Sequence, residues 1–362
     1  MSLPQYRAEL ESKDIPILIL VNSTQLRDVE LPDELKKWGC AHPVKIACYQ
    51  TAHKWQKEIG LLIADEMDFA LSEGARYARC FTKNSFTRFL GLTGTLIPSK
   101  FEKSIDVFQK PPFYRYELKQ AQLDGVINKT KIWIHEVPLY VRPTATAPYG
   151  EVAKYKWITQ KINEAMHHIG LSYDLEEFDQ VERWKRTKAY WESSGGNKNS
   201  RMHMMRTAES LHDYAALLIK AITKNDPNNK ILIFSELTEQ VDLLTGNRYH
   251  GKEHKKETLE NFNEGVIREL GVVKKVNRGV NFKALNNCVV HSYSSSMTNA
   301  QQAFIGRMVR LAPDQLAHIH ILVSYYDDHG TKSYCRNMNW IKNVIDAIEL
   351  NHIDVEYYDK GL

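Results

Sequence analysis

Residues 61–71 read LLIADEMDFAL, and everything else in the chain is weighed against this stretch. Its first four residues, Leu61–Ala64, are an apolar run of strand length, and a run without alternation suits a strand covered on both faces. The run delivers two adjacent carboxylates, Asp65 and Glu66, at its carboxyl end, with Asp68 two residues beyond Glu66. In open α/β sheets, ligands gather at the carboxyl ends of the strands. Phosphoryl transfer needs such a pair there, one carboxylate to hold Mg²⁺ and its neighbour to position or deprotonate the attacking water. Alone, the string equally fits a solvated strand end.

Working outward, the same grammar recurs on both sides. Strands are predicted at Ile15–Val21, Val44–Tyr49, Phe89–Thr93 and Ile132–Val137 in a first half, beside Leu61–Ala64. A second half carries Lys230–Phe234, Leu270–Val276, Asn287–Ser292 and His318–Ser324. Helical patterns such as Asp33–Trp38 and Lys255–Phe262 supply the crossovers that parallel strands require. Between the halves, Tyr149–His168 and Leu175–Trp191 have helical periodicity and are rich in Lys, Glu, Gln and Trp. The stretch SSGGNKNS (Ser193–Ser200) is a loop, and Met202–Ile222 resumes as a helix. The expected class is α/β: one doubly wound parallel-sheet domain over 1–142, a helical insertion over 143–205, and a second such domain over 206–362.

Composition sets the outer bounds. At 362 residues the chain is long enough for two domains, each with its own core. No apolar run approaches the roughly 20 residues of a membrane helix, so no membrane partner is expected. The first 13 residues carry both charge signs and no apolar core, unlike a signal peptide. Cys40, Cys48, Cys80, Cys288 and Cys335 stand far apart and never in CxxC spacing, which points to reduced thiols and a cytoplasmic location. A net charge of +4 and a pI near 8.6 fit a nucleic-acid partner without requiring one.

Two further segments carry chemistry. In FLGLTGTLIP (Phe89–Pro98) an apolar run ends in Thr93 and Thr95 around Gly94, hydroxyls able to hydrogen-bond to an acidic strand next door; an ordinary turn has the same composition. In QQAFIGRMVRL (Gln301–Leu311), Arg307 and Arg310 are three apart and share one helical face. Two guanidiniums so placed suit the charge on a transferring γ-phosphate, where an arginine finger is worth about 10³–10⁵ in rate. A solvated surface helix would look alike.

Order and spacing add what the single segments lack. The series resembles the superfamily 2 helicases and translocases over essentially the whole chain. ILILVNSTQLRD with ELKKWG resembles motif Ia, IACYQTAHKW the next nucleic-acid-contacting motif, LLIADEMD motif II and GLTGT motif III. NKILIFSELTEQVDLL resembles motif IV, GVVKKVNRGVNF motif V and FIGRMVR motif VI, while YRYELKQAQLDGVI looks like the lead-out from a first lobe. The wording of motifs IV–VI is nearest to the branched-DNA and restriction-type helicases of phage and bacteria.

This resemblance implies two RecA-like lobes and ATP with Mg²⁺ as cofactors. Asp65 would coordinate the metal and Glu66 activate water. Thr93 and Thr95 would couple the nucleotide to strand binding, and Gly279, Asn281 and Gln302 would stand near the nucleotide. Arg307 and Arg310 would reach ATP from the second lobe. A nucleic-acid backbone, DNA in preference to RNA, would run along Asn22, Ser23, Tyr49, Gln50, Thr51, Ser235, Lys274 and Lys275, groups that bind phosphates without reading sequence. The two lysines fit a solvated strand end as well. Trp55, Trp157, Trp184 and Trp191 are either base-stacking platforms or packing within the insertion.

The sequence departs from the family twice. Ala303 stands where a glutamine is usual, with Gln302 one residue earlier. More seriously, no GxxxxGK[ST] phosphate loop occurs anywhere in the chain, and such a loop supplies the backbone donors and the lysine that hold the β- and γ-phosphates. Three explanations stay open: a truncated helicase, a second polypeptide that supplies the loop, or a degenerate body that binds nucleic acid or partners as a scaffold. Little or no ATPase activity is expected of the chain alone, and an RNA helicase is the remaining alternative.

Overall fold

The computed structural model describes residues 17–22, 24, 26–40, 44–52, 58–67, 70–71, 81, 85–93, 102–105, 114, 116, 118–193, 197–249, 256–273, 282–292, 308, 311–312, 314–335 and 354–358. The chain divides at residue 115 into two compact units.

The first unit holds a parallel sheet of β1 (Ile17–Val21), β2 (Val44–Cys48), β3 (Glu58–Ala64) and β4 (Ser85–Gly91) in the order β2-β1-β3-β4. Successive side chains point to opposite faces of a strand, so two covered faces demand an unbroken apolar run. One face buries Leu18, Leu20 and Leu62 against Tyr49, Met67 and Leu71. The other buries Ile19, Val21 and Cys48, with Leu26, Leu31 and Leu35 packed over them. Leu31 and Leu35 lie one turn apart on α1 (Leu31–Lys37), which has acids in its first turn and lysines in its last, the charge order a helix dipole favours.

The second unit is built on a wider sheet: β5 (Lys129–Pro138), β6 (Ile231–Ser235), β7 (Arg248–Tyr249), β8 (Glu269–Val273), β9 (Asn287–Val290), β10 (Leu316–Asp328), β11 (Thr331–Tyr334) and β12 (Asp354–Tyr358). The order is β12-β5-β10-β9-β6-β8-β7, parallel throughout, with β11 folded back antiparallel on β10. All nine expected strands are present with shifted ends, and β7, β11 and β12 are additional. The strand at Ile132–Val137, which the sequence order assigns to the first half, belongs here. β5 pairs with β10 from Lys129↔Leu316 to Pro138↔Tyr325 and with β12 on its other side. An apolar run is equally at home in either sheet, and only pairing decides.

Two long helices, α2 (Glu151–Asp174) and α3 (Phe178–Glu192), form an antiparallel hairpin where the helical insertion was expected. Trp157 packs edge-on against Trp191, and Trp184 stacks on His168, so three of the four tryptophans pair within the hairpin. Gly150 stands before α2 at φ +90°, where a Cβ would collide with the Val141 carbonyl. The helix expected over Met202–Ile222 is broken at Thr207–Ala208 into α4 (Arg201–Arg206) and α5 (Glu209–Asn225).

The break has a tertiary cause. Glu151 is fully buried, and its carboxylate accepts hydrogen bonds from the Ser210 hydroxyl (2.6 Å), the Ser210 amide (3.2 Å) and the Tyr140 amide (3.0 Å). One carboxylate thus binds the exit of β5, the start of α2 and the first turn of α5, whose amides lack intrahelical partners. α2, α4 and α5 cover one face of the second sheet through Ile158, Ile162, Met204, Leu211, Leu218 and Ile222.

Candidate nucleotide and nucleic-acid site

In the first unit, the segments expected to carry chemistry end up along one edge. Each follows the carboxyl end of its strand: Tyr49–Thr51 after β2, Asn22 after β1, Asp65 and Glu66 after β3, and Thr93 after β4. Parallel strands make this unavoidable, because they bring all their carboxyl ends to one side. The spacing of roughly 4.8 Å between neighbouring strands then sets the pitch of the row.

The Asp65–Glu66 turn is held from three directions. The Asp65 amide donates to the Leu20 carbonyl (3.0 Å), the Met67 amide to the Leu92 carbonyl (2.8 Å) and the Leu92 amide to the Ala64 carbonyl (2.9 Å). The Tyr49 hydroxyl donates to the Asp65 carbonyl (2.7 Å). Within this frame Glu66 has φ +51°, a left-handed backbone that non-glycine residues rarely adopt and that costs about 1–3 kcal/mol. Asp65 and Glu66 are both half-buried, and the Oε2 atom of Glu66 is shielded from solvent.

The expected backbone contacts separate into two kinds. Gln50 and Thr51 are exposed on the helical turn after β2. Asn22 is half-buried, and its carboxamide oxygen and nitrogen are buried with no hydrogen-bond partner among the described residues. Such a group costs free energy until something satisfies it. Tyr49, read from sequence as a strand contact, is instead fully buried and supports Asp65 from beneath.

Ser235 is the other correction. It ends β6 in the second unit and is fully buried, with its hydroxyl 3.0 Å from that of Ser292 and 3.4 Å from His291 Nδ1. Beside it, Glu236 forms a buried ion pair with Arg206 at the end of α4. His291, one residue past β9, is fully buried, and burial, followed by nearby His212, pushes its pKa down to about 3. The carboxyl edge of β6 and β9 is therefore an internal polar network. Sequence reasoning missed Arg206, Glu236, His291 and Ser292. Glu236 directly follows Ser235 in the motif IV segment, but nothing in the local sequence marks Arg206, thirty positions earlier, as its partner.

Ser23, Thr95, Lys274, Lys275, Gly279, Asn281, Gln302, Arg307 and Arg310 lie outside the described residues, as does Trp55.

Residues 213–312 match the family model of the helicase conserved C-terminal domain. No curated protein sequence matches the chain significantly. Among solved structures, the chain is similar to the Hef helicase domain of Pyrococcus furiosus, at 12% identity and TM-score 0.53, over 95% of this chain and 92% of that one. It is also similar to Dbp5 of S. cerevisiae bound to RNA and ADP BeF3, at 11% identity and TM-score 0.51, over 97% and 79%. The likeness is one of fold, two RecA-like parallel-sheet units, and the match to the helicase C-terminal domain is confined to residues 213–312.

Proposed function

We propose that the chain is the core of an ATP-dependent nucleic-acid helicase or translocase. The observation that carries this reading is the row along the carboxyl edge of the first sheet, where the strained Asp65–Glu66 turn stands between Asn22 and Thr93. Strain of this kind persists only where the surroundings impose it, and it collects at active sites.

The donor set suits Mg²⁺, a hard ion usually held by one or two carboxylates together with water and substrate phosphates. Asp65 would hold it, and the ion would neutralise charge on the nucleotide's phosphates. Glu66 would orient the attacking water and take its proton, and Thr93 would sense the occupancy of the neighbouring strand end. Arg307 and Arg310 in FIGRMVR would neutralise the γ-phosphate. Exposed Gln50 and Thr51 would offer a nucleic-acid backbone neutral donors and acceptors, with Ser23, Lys274 and Lys275 adding to the same track, whereas the Asn22 carboxamide would have to be uncovered to join them. Such contacts scarcely distinguish DNA from RNA. DNA is preferred on the wording of motifs IV–VI, which is that of branched-DNA and restriction-type helicases.

A second reading, a non-catalytic nucleic-acid-binding scaffold, is favoured by one feature: the chain contains no GK[ST] string to grip the phosphates. The intermediate reading has another polypeptide supply that loop.

The test is ATP hydrolysis with and without single-stranded DNA and RNA, beside Glu66→Gln. Motor function predicts strand-stimulated turnover lost by at least about 10²-fold in the variant, the loss typical of removing a general base. If the loop must come from elsewhere, turnover appears only when a peptide or partner carrying it is added. Strand binding indifferent to ATP under every condition would leave the scaffold.

A further inference from the structure

In the first unit one residue belongs to two of the strand ends at once. Tyr49 opens the helical turn Tyr49–Ala52 that follows β2, and the next two residues of that turn, Gln50 and Thr51, are exposed. The Tyr49 side chain goes the other way. It is fully buried in the cluster of Leu18, Leu20 and Leu62, and its hydroxyl donates to the Asp65 carbonyl (2.7 Å), just past the end of β3. Because β1 lies between β2 and β3, this one residue links strand ends two intervals apart, about 10 Å.

Packing alone does not need the hydroxyl. A phenylalanine ring would fill the same space among the leucines, and a buried hydroxyl is a cost unless it is paired. What the hydroxyl adds is a grip on one peptide group. The Asp65 carbonyl belongs to the planar peptide that joins Asp65 to Glu66, so rotating that plane changes ψ of Asp65 and φ of Glu66 together. The φ it governs is the left-handed +51° of Glu66. The other hydrogen bonds of the frame lie on either side of this peptide: Asp65 amide to Leu20, Met67 amide to Leu92, Leu92 amide to Ala64.

The strained backbone of Glu66 is therefore held by a residue rooted in the turn that presents Gln50 and Thr51. That turn is tied to its strand, since the Thr51 hydroxyl donates back to the Cys48 carbonyl (3.1 Å). Close-packed interiors transmit displacement instead of absorbing it. A shift of the turn moves the Tyr49 ring, and the ring moves the peptide.

We propose that Tyr49 is a positioning residue, which couples occupancy of the Gln50–Thr51 turn to the orientation of the Asp65–Glu66 peptide. A single strand seated on the turn displaces the Tyr49 hydroxyl, and the peptide it holds re-aims the Glu66 carboxyl. Tyr49 itself touches neither strand nor nucleotide. The coupling rests on the reading of Gln50 and Thr51 as strand contacts and of Glu66 as the base, and it adds the route by which a strand would set hydrolysis.

The experiment titrates the chain with a short oligodeoxythymidylate and follows backbone amide resonances, beside Tyr49→Phe. In the parent, the Gln50, Thr51 and Glu66 amides are expected to shift saturably with one midpoint. Tyr49→Phe is expected to bind with the same midpoint and the same shifts at Gln50 and Thr51, while most of the shift at Glu66 is lost. A tyrosine that only packs would leave the Glu66 response as it was. The Tyr49 hydroxyl proton of the parent, slowed in exchange by burial, should shift with the same midpoint, which tests the link even if the variant fails to fold. No hydrolysis is read, so the failures are told apart. If the Gln50 and Thr51 amides stay still, the strand contact is wrong and the coupling falls with it. If they move while the Glu66 amide or the hydroxyl proton stays still, the coupling alone is wrong. A Glu66 shift as large in Tyr49→Phe as in the parent also overturns it, because the hydroxyl is then not the link.

Discussion

Single residues hold this chain together where its polar groups go underground. Arg206 and Glu236 are both buried and are paired with each other across α4 and the end of β6. Taking two charges out of water is expensive, and their attraction offsets that only while both are present. Arg206→Met should therefore cost about 3–5 kcal/mol, read as a lower urea midpoint with an unchanged slope. The double change Arg206→Met/Glu236→Leu should recover most of the loss, because no unpaired charge remains. A double variant no more stable than the single one would place the cost elsewhere. At Glu66, by contrast, the frame works against the backbone. Hydrogen bonds to Leu20 and Leu92 on either side hold it in a left-handed conformation that its side chain does not favour.

At the scale of elements, the buried histidines couple the second sheet to pH. Burial pushes the His135 pKa down to about 4 and that of His291 to about 3, from an ordinary value of 6.5. Below pH 6.5 the unfolded chain binds protons that the native sheet refuses until the folded pKa values are reached. Stability is therefore full above pH 6.5, falls as pH drops toward 4, and levels off once the native histidines also titrate. Denaturation midpoints should be flat from pH 8 to 7 and should drop between pH 6.5 and 5, before most carboxylates begin to titrate. His291→Gln should flatten part of that slope. A midpoint as high at pH 5 as at pH 7.5 would mean these imidazoles are not held neutral. Close packing between elements has its own residue: Gly271 on β8 lies where a Cβ would run into Val241 and Thr245, so α6 (Thr238–Leu244) rests directly on the strand backbone.

For the whole molecule, the consequential strand is β5. It precedes the helical hairpin in sequence, yet it lies inside the second sheet between β12 and β10. A chain beginning at residue 116 keeps every strand of that sheet and should fold, with a cooperative melt and dispersed methyl resonances. A chain beginning at residue 143, the boundary that motif order suggests, loses β5 and with it the contact of β12 to the sheet. It should be molten or insoluble, since exposed edges of parallel strands are ready templates for aggregation. Equal behaviour of the two fragments would refute the placement of β5.

What the amino-acid order determined by itself was local. Apolar runs without alternation located nine strands, and the place of Asp65–Glu66 and Thr93 at strand ends was legible because parallel sheets present their carboxyl ends together. What only the tertiary structure decided was partnership. An apolar run does not say which sheet it joins, so β5 read as part of the first half until its register with β10 placed it in the second. A polar residue at a strand end does not say whether it faces solvent, so Tyr49 and Ser235 looked like surface contacts and are buried. Arg206 with Glu236, Glu151 with Ser210, and Trp133 with His318 and His320 meet across 30 to 187 positions of chain. Burial and long-range pairing are set by the packed whole, which is why no short window of sequence carries them.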